Sequence, residues 1–286
     1  MKSLKELQST DPSVIYCIGD NRTVLKFEVG SMNWMRIPLE TDSRSNDGFD
    51  GTLRYSSSCF IPPCPDERII VTGGCYSTNN FPANHVTEFT IKTIKHPRKK
   101  KPMLLKRYGH CSVYLNSLLY AIGGFAHKDL PNEPPVTLNA CERMTVNAEK
   151  TWKHISSMCE PRAFMSCVCF NSQYIYVFGG MQDYNILESV EKYDSISDTW
   201  SIMYFSLPKP LAKLGICLLT DDTILIVGGM SKDFEPSNET YLLTFSTMQW
   251  IKKQSLSAPR LTSSGLFCTE DFYDNKFVYA IGGNKT

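Results

Sequence analysis

The chain carries almost no net charge and no long apolar run, and these absences exclude several classes of protein. Its 286 residues have a formal net charge of +1, so no overall field favours binding to nucleic acid or acidic membranes. No apolar stretch approaches the roughly 20 residues of a membrane-spanning helix. The first thirteen residues, MKSLKELQSTDPS, lack the apolar centre of a signal peptide. We therefore expect a cytoplasmic protein that binds neither membrane nor nucleic acid.

Signatures of catalysis are also missing. The sequence has no G-x-G-x-x-G loop ahead of a helix and no serine or cysteine in a nucleophile motif. Its five histidines are scattered, and Cys167-x-Cys169 lacks the second pair of ligands that a zinc site needs. The eleven cysteines lie mostly in strand-like runs, which indicates buried thiols rather than a disulfide framework. The sequence therefore predicts no enzyme, no cofactor and no metal.

A repeated glycine motif is the main feature that the sequence does contain. An apolar run ending in a glycine pair occurs six times, with Gly19-Asp20 in place of the pair in the first copy. Successive first glycines are 54, 50, 56, 49 and 54 residues apart. A period near 50 residues indicates a stacked or circular architecture of repeated units. The glycines expected to have a structural role are Gly73, Gly74, Gly123, Gly124, Gly179, Gly180, Gly228, Gly229, Gly282 and Gly283.

The fourth repeat shows the internal pattern of one unit most clearly. It divides into four short β-like pieces, 165–170, 174–180, 189–194 and 199–205, which polar turns separate. The second piece is apolar on both faces, so other elements must cover it on both sides. Four short strands with covered faces are typical of a propeller blade. A glycine pair after the second strand allows the chain to bend tightly beneath the next blade.

Two further residue types recur at fixed places in the repeats. A tryptophan stands at the fourth strand of four repeats, where a large flat side chain would fill the widening space between blades: Trp34, Trp152, Trp200 and Trp250. An arginine opens most repeats, and the fifth repeat departs with Pro210-Leu211: Arg54, Arg107, Arg162 and Arg260.

Together these features resemble the kelch repeat family over essentially the whole chain. The resemblance rests on the opening arginine with its aromatic and histidine neighbours, the aromatic-x-x-Gly-Gly strand, Glu191 followed by Tyr193, and the closing tryptophan. It implies an all-β, kelch-type β-propeller of four-stranded antiparallel blades in a single domain, 1–286. Six copies predict six blades with the last one incomplete, and a five-bladed closure is the alternative. The expected units are approximately 13–38, 54–102, 107–158, 162–208, 211–257 and 260–286.

Loop lengths predict which end of the blades binds a partner. With strands a to d in each blade, the b–c and d–a connections emerge at one end, and the longest are Cys75–His85, Phe125–Val136 and Pro38–Leu53. The opening arginines begin strand a at this end. They either bind carboxylates of a partner or join adjacent blades by hydrogen bonds to backbone carbonyls, and both interpretations stay open. The candidate partner-binding residues are Arg54, Arg107, Arg162, Arg260, Tyr76, Phe81, Phe125, Tyr184 and Phe234.

The run His96–Pro102 is the one strong cluster of charge in the sequence. It is either a nuclear localisation signal or phosphate-contacting patch, or a solvated d–a loop without a binding role.

The resemblance implies a non-catalytic module or scaffold that binds another protein. The partner-binding interpretation of the opening arginines makes a peptide containing acidic residues one candidate partner. The resemblance also implies two alternatives of the same class, substrate recognition for a cullin-type ubiquitin ligase and actin-linked scaffolding. The ligase role needs a BTB or F-box segment, and only about a dozen residues precede the first expected strand. A propeller enzyme, such as a sugar mutarotase or a copper oxidase, is the alternative of a different class.

Overall fold

The computed structural model describes residues 14–19, 23–28, 31–38, 53–62, 66–94, 97–127, 133–147, 151–261, 266–270 and 276–280. Within these residues the chain is almost entirely β, with 27 strands and one turn of 3-10 helix, Ile91–Thr93. A helix able to cross a membrane is absent from this described part of the chain. The expected all-β class is confirmed.

The first sheet has three strands, β1 (Val14–Gly19), β2 (Thr23–Glu28) and β3 (Asn33–Pro38), paired antiparallel in chain order. Its first strand ends at Gly19 and therefore corresponds to strand b of the later repeats. We call this sheet blade 1.

Four sheets of four strands follow, and in each the order in space is the order along the chain. We call them blades 2 to 5 and name their strands a to d. Blade 2 contains β5 (Ser57–Ile61), β6 (Arg68–Thr72), β8 (Val86–Thr90) and β9 (Arg98–Lys99). Blade 3 contains β10 (Cys111–Leu115), β11 (Leu118–Ile122), β14 (Cys141–Thr145) and β15 (Lys153–Ile155).

Blade 4 contains β16 (Ser166–Phe170), β17 (Tyr174–Phe178), β20 (Ser189–Asp194) and β21 (Thr199–Ser206). Blade 5 contains β22 (Gly215–Thr220), β23 (Thr223–Val227), β24 (Thr240–Thr244) and β25 (Gln249–Lys253).

The remaining strands form short ribbons. Three two-stranded ribbons lie in or beside the b–c loops: β4 (Leu53–Arg54) with β7 (Cys75–Tyr76), β12 (Phe125–Ala126) with β13 (Val136–Thr137), and β18 (Met181–Gln182) with β19 (Asn185–Ile186). The last described pair is β26 (Leu266–Glu270) with β27 (Lys276–Ala280). The number of blades and the single-domain assignment stay predictions.

Strand b is buried on both faces, as the apolar runs predict. In β17, Ile175 and Val177 point to one face and Tyr176 and Phe178 to the other, and all four are buried. The four strand pieces expected for the fourth repeat coincide with the strands of blade 4 to within two residues at each end. A strand buried on both faces cannot be stable alone, so each blade depends on its neighbours within the same compact unit.

Internal contacts divide the chain into two compact units. The first comprises 1–121, 126–135 and 142–154, and the second comprises 122–125, 136–141 and 155–286. One core cluster of the first unit joins blades 2 and 3 and includes Ile61, Ile70, Leu119, Met144 and Trp152. The core of the second unit joins blades 4 and 5 and includes Tyr176, Phe178, Leu214, Leu243 and Phe245.

Candidate functional site

The glycine pairs lie where strand b passes into the b–c loop, and we call this end of a blade its glycine end. Its opposite end, with the a–b and c–d turns, is the turn end. At the glycine ends of blades 2 to 5 the N–H of the second glycine donates to the carbonyl of the residue that opens the next repeat. The distances are 2.9 Å for Gly74 to Arg107, 2.9 Å for Gly124 to Arg162, 2.9 Å for Gly180 to Leu211 and 3.1 Å for Gly229 to Arg260. Each junction therefore fixes a b–c loop to the following d–a connection.

Steric crowding from two sides explains why the pair must be glycine. Gly179 has φ +57°, and a Cβ on it would lie 2.2 Å from the carbonyl oxygen of Leu211. Gly180 has φ +95°, and its Cβ would lie 2.7 Å from the carbonyl oxygen of Ala163. Backbone oxygens cannot rotate away as a flexible side chain can, so any side chain at either position displaces a strand opening. Gly282 and Gly283 lie outside the described residues.

Arg107 and Arg162 are completely buried at these junctions. Arg107 Nη2 donates to Glu142 Oε1 at 2.8 Å, and Arg162 Nη2 donates to Glu191 Oε1 at 2.7 Å. Arg162 Nη1 also donates to the Gly179 carbonyl at 2.9 Å. The expectation that these two arginines face a partner is wrong, because neither guanidinium reaches the surface.

The buried carboxylates have the same surroundings in both blades. Glu142 accepts the backbone N–H groups of Leu104 and Leu105, and Glu191 accepts those of Cys159 and Glu160. Each arginine–glutamate pair thus joins strand c to the d–a connection that precedes strand a of its own blade. A buried ion pair needs such additional hydrogen bonds to offset the loss of hydration.

The blades that lack the arginine also lack the glutamate. In blade 5 the opening place holds Leu211, and Tyr241 stands on strand c at the position of Glu191. In blade 2, Arg54 pairs with Cys75 just as Ala163 bridges to Met181 in blade 4. Arg54 therefore stands one residue beyond the opening place, which Leu53 occupies, and the assignment of Arg54 to the repeated arginine is corrected. Its exposed side chain is available at the glycine end.

Arg260 occupies the opening place of the sixth repeat and is half-buried. Its Nη1 donates to the Ala280 carbonyl at 3.5 Å. This contact resembles the bond from Arg162 to Gly179 and favours a role within the chain.

Three closing tryptophans bond to the backbone at the end of strand d of the preceding blade, or just after it. The indole N–H groups of Trp152, Trp200 and Trp250 donate to the carbonyls of Lys101, Ser156 and Ser206 at 3.0, 2.9 and 2.8 Å. Trp34 is half-exposed and packs on Phe27, with ring centroids 4.8 Å apart. The described tryptophans contribute to packing and are not grouped as a binding surface.

His110 is buried beside the glycine pair of blade 2. Its Nε2 lies 2.8 Å from Thr72 Oγ1, which lies 2.6 Å from Ser112 Oγ. Burial, with a smaller effect of the Arg107 guanidinium, lowers the pKa of His110 well below its usual value of 6.5. His110 is therefore neutral in the folded protein at neutral pH.

Acidification is expected to destabilise the protein through His110. Below pH 6.5 the His110 imidazole binds a proton in the unfolded state and stays neutral in the folded state. The free energy of unfolding is therefore unaffected by protonation of His110 above pH 6.5 and decreases as the pH falls below that value. His110→Gln, which can keep a bond to Thr72, should flatten the dependence of the urea midpoint on pH between 7.5 and 5. The exposed His154→Gln is the control variant. Parallel profiles for wild type and His110→Gln would contradict this assignment.

A row of aromatic rings lies at the glycine end of the first unit. The ring centroids are 6.3 Å apart for Tyr55 and Tyr108, 6.5 Å for Tyr108 and His127, and 5.5 Å for His127 and Phe81. Tyr55 is 50% exposed and Phe81 is 36% exposed, while the two central rings are half-buried. We call these four residues the aromatic row.

Two of the predicted partner-binding residues, Arg54 and Tyr76, lie beside the aromatic row. Arg54 precedes Tyr55 in the chain, and its strand partner Cys75 precedes Tyr76. The Tyr76 hydroxyl lies 2.7 Å from His85 Nε2, and the Tyr76 N–H donates to the Phe81 carbonyl at 3.0 Å. The structure therefore brings Arg54, Tyr76 and Phe81 together, as three of the nine candidate residues.

The other predicted aromatics do not join this group. Phe125 is only 6% exposed and packs edge-on against Phe164, so its expected exposure is wrong. Tyr184 is 78% exposed at the tip of the β18–β19 ribbon, and Phe234 is half-exposed in the b–c loop of blade 5. These two residues belong to the second unit and stand on separate loops.

Sequence reasoning missed Tyr55, Tyr108 and His127. Tyr55 and Tyr108 follow the opening place, where the repeat itself varies: the equivalent dipeptides are Arg54-Tyr55, Tyr108-Gly109, Ala163-Phe164 and Ala212-Lys213. The second member of each has φ between +49° and +61°. Glycine or a small residue is favourable at these places. A bulky residue there was therefore the sequence signal that could have identified Tyr55 and Tyr108 as candidate binding residues.

The described residues contain no group of three or more His, Cys, Asp or Glu side chains that could hold a metal ion. The basic run is not wholly a loop: Arg98–Lys99 forms β9, the outer strand of blade 2, where Arg98 stands opposite Glu88. Lysine and arginine on an outer strand discourage pairing with another chain.

Antiparallel four-stranded sheets whose b–c loops are fixed to the next repeat define a β-propeller protein. A model of the kelch motif matches residues 161–203, which include Arg162, the glycine pair and Trp200 of blade 4. The chain therefore contains a kelch motif in blade 4, and its fold resembles that of kelch-repeat proteins.

Several kelch proteins are similar to this chain in sequence. Kelch-like protein 23 of Mus musculus is 26% identical over 202 residues, 68% of this chain and 34% of that protein. Kelch-like protein 25 of Xenopus tropicalis is 27% identical over 219 residues, 76% of this chain and 35% of that protein. Beta-scruin of Limulus polyphemus is 26% identical over 189 residues, 63% of this chain and 19% of that protein. The chain thus spans between 19% and 35% of the length of these curated relatives.

Proposed function

We propose that the protein is a non-catalytic interaction module that binds another protein at the glycine end of its first unit. The observation that supports this proposal is the aromatic row, four rings in a continuous series beside the exposed Arg54. Tyrosine, other aromatics and arginine contribute most of the binding energy at protein interfaces. The resemblance to kelch-like proteins supports the same class of function.

The geometry of the aromatic row suits an extended segment of a partner. Each separation between neighbouring rings, 5.5 to 6.5 Å, is close to the ~6.6 Å that two residues of extended chain span. Arg54, next to Tyr55 in the chain, would form a charge-assisted hydrogen bond with an acidic side chain of that segment. We therefore propose a partner segment with apolar residues and at least one carboxylate.

Alanine at Phe81 or glutamate at Arg54 should remove binding of such a partner. Quantitative affinity capture with the full chain should show the same retained protein depleted at least about tenfold by Phe81→Ala and by Arg54→Glu, as expected for interface anchors. Tyr204→Ala is the matched control, because Tyr204 is 82% exposed but stands on β21 in the second unit.

Two results would oppose the proposal. Partners that Phe81→Ala and Arg54→Glu retain at the wild-type level would exclude the aromatic row as the binding surface. A partner lost equally with Tyr204→Ala would place binding elsewhere or indicate a general loss of structure.

Substrate recognition for a cullin-type ubiquitin ligase is a second candidate. It is favoured by the relation to Kelch-like proteins, in which the matched region is about a third of a longer chain. Co-precipitation of the full-length protein with a cullin, retained in Phe81→Ala while the substrate is lost, would support this role. Absence of any cullin would count against it.

A further inference from the structure

The turn end of blade 3 contains a small cavity with a positively charged lining. Its volume is about 160 Å³, and its lining residues, all in the first unit, are Leu118, Arg143, Met144, Thr145, Thr151 and Lys153. The described lining residues therefore offer two cationic groups and two hydroxyl groups, and none of these described residues carries a carboxylate. This site is at the opposite end of the blade from the glycine pair and plays no part in the proposed partner surface.

The two cations occupy positions that face each other across strands c and d. Arg143 corresponds to Lys192 of blade 4, because each follows the buried glutamate of strand c. Lys153 corresponds to Ser201, because each follows the closing tryptophan. In blade 4 the corresponding residues, Lys192 and Ser201, are direct cross-strand partners. Like charges at such positions destabilise a sheet unless something neutralises them.

The same place does not hold two cations in blades 2, 4 and 5. In blade 4 the Lys192 ammonium lies 4.8 Å from the ring centroid of Tyr174, which opens strand b as Leu118 does in blade 3. In blade 2, Glu88 stands opposite Arg98 and also bonds Arg68 at 3.2 Å.

Blade 5 has an apolar pair, Leu242 and Ile251, at this place. Blade 3 therefore differs from the other three four-stranded blades in having two cations and a residue too small to cover them.

We propose that this cavity binds a phosphoryl group. Arg143 would contact two phosphoryl oxygens through its planar guanidinium, and Lys153 would supply the second charge. The hydroxyls of Thr145 and Thr151 can donate further hydrogen bonds. Neither Arg143 nor Lys153 forms an ion pair with another residue of the described chain. A bound anion would therefore supply the counter-charge for both side chains. A volume of about 160 Å³ is several times that of a water molecule, about 30 Å³, and admits a tetrahedral anion.

Titration of the full chain with inorganic phosphate, at constant ionic strength set with sodium chloride, tests the proposal. Calorimetry should give a saturable dissociation constant, and phosphate should raise the melting temperature. Arg143→Gln and Lys153→Gln should each weaken binding about tenfold, the usual effect of losing a hydrogen bond to a charged group. In phosphate-free buffer these variants should melt at or above the wild-type temperature, because they separate two like charges.

Leu118→Tyr gives a test that leaves both charges in place. A tyrosine there should cover the cavity as Tyr174 does in blade 4, and should abolish phosphate binding without lowering the melting temperature. Lys192→Gln is the control and should bind phosphate as the wild type does. Comparing inorganic phosphate with a phosphoserine peptide then identifies the source: tighter binding of the peptide indicates a modified partner, and equal binding indicates a free anion.

The proposal is overturned if wild type and the Arg143→Gln/Lys153→Gln double variant respond equally to phosphate. It is also overturned if Leu118→Tyr binds phosphate unchanged. An arginine and lysine that serve only packing would give lower melting temperatures for both single glutamine variants, with no dependence on phosphate.

Discussion

Replacing Arg162 by leucine is expected to lower the free energy of unfolding by about 3–5 kcal/mol. The substitution leaves the buried Glu191 carboxylate with two backbone N–H donors and no counter-charge, and it removes the donor to the Gly179 carbonyl. An uncompensated buried charge is among the most destabilising changes that a single substitution makes. Urea unfolding followed by tryptophan fluorescence measures the loss, since Trp200 lies in the same blade.

The chain itself provides the compensating variant. Blade 5 has leucine and tyrosine at the two places, so Arg162→Leu with Glu191→Tyr should recover at least half of the loss. Lys92→Leu, which breaks the exposed ion pair with Asp66, is the control and should leave the urea midpoint nearly unchanged. A single Arg162→Leu variant within about 1 kcal/mol of wild type would show that the buried pair is not needed.

Gly179→Ala is expected to destabilise blade 4 by about 2–5 kcal/mol. A left-handed backbone costs alanine about 1–2 kcal/mol, and overpacking of a rigid site adds about 1–3 kcal/mol. The new Cβ would lie 2.2 Å from the Leu211 carbonyl oxygen, so the opening of blade 5 must move and the bond from Gly180 to Leu211 is strained. Urea unfolding of the purified variant gives the measurement.

A second substitution separates conformational strain from the close contact. Asn171 in the a–b turn of the same blade also has a positive φ, +51°. Asn171→Gly removes that strain where the turn is exposed, and should change the free energy of unfolding by less than about 1 kcal/mol. Equal, small effects at the two positions would show that the Leu211 carbonyl can move at little cost, contrary to the crowding at the junction.

Most of the strands could be predicted because their signals are local. Apolar runs, polar turns and the glycine spacing depend on residues close together in the chain, and blade 4 follows its expected pieces closely. The correspondence of β1 to a strand b was predictable for the same reason, because β1 ends at the first glycine motif.

The candidate site was harder to predict because its contacts join distant repeats. Recurrence identified Arg107 and Arg162. Only the position of Glu142 and Glu191 on strand c shows that the two arginines form buried ion pairs inside the blade. Arg54 resembles these arginines in sequence and yet stands one residue further along, where the side chain is exposed. A shift of one residue in a strand reverses the direction of a side chain, and residue type alone cannot reveal that shift.

The amino-acid sequence alone determined the repeat, the all-β class and the requirement for glycine at the junctions, since these follow from periodicity and backbone sterics. Only the tertiary structure decided which repeated residues are buried and which reach the surface. It placed Tyr55, Tyr108, His127 and Phe81 in one row, although they lie up to 72 residues apart between Tyr55 and His127. The reason is physical: side-chain direction and proximity across blades are set by the junction hydrogen bonds, which no local stretch of sequence contains.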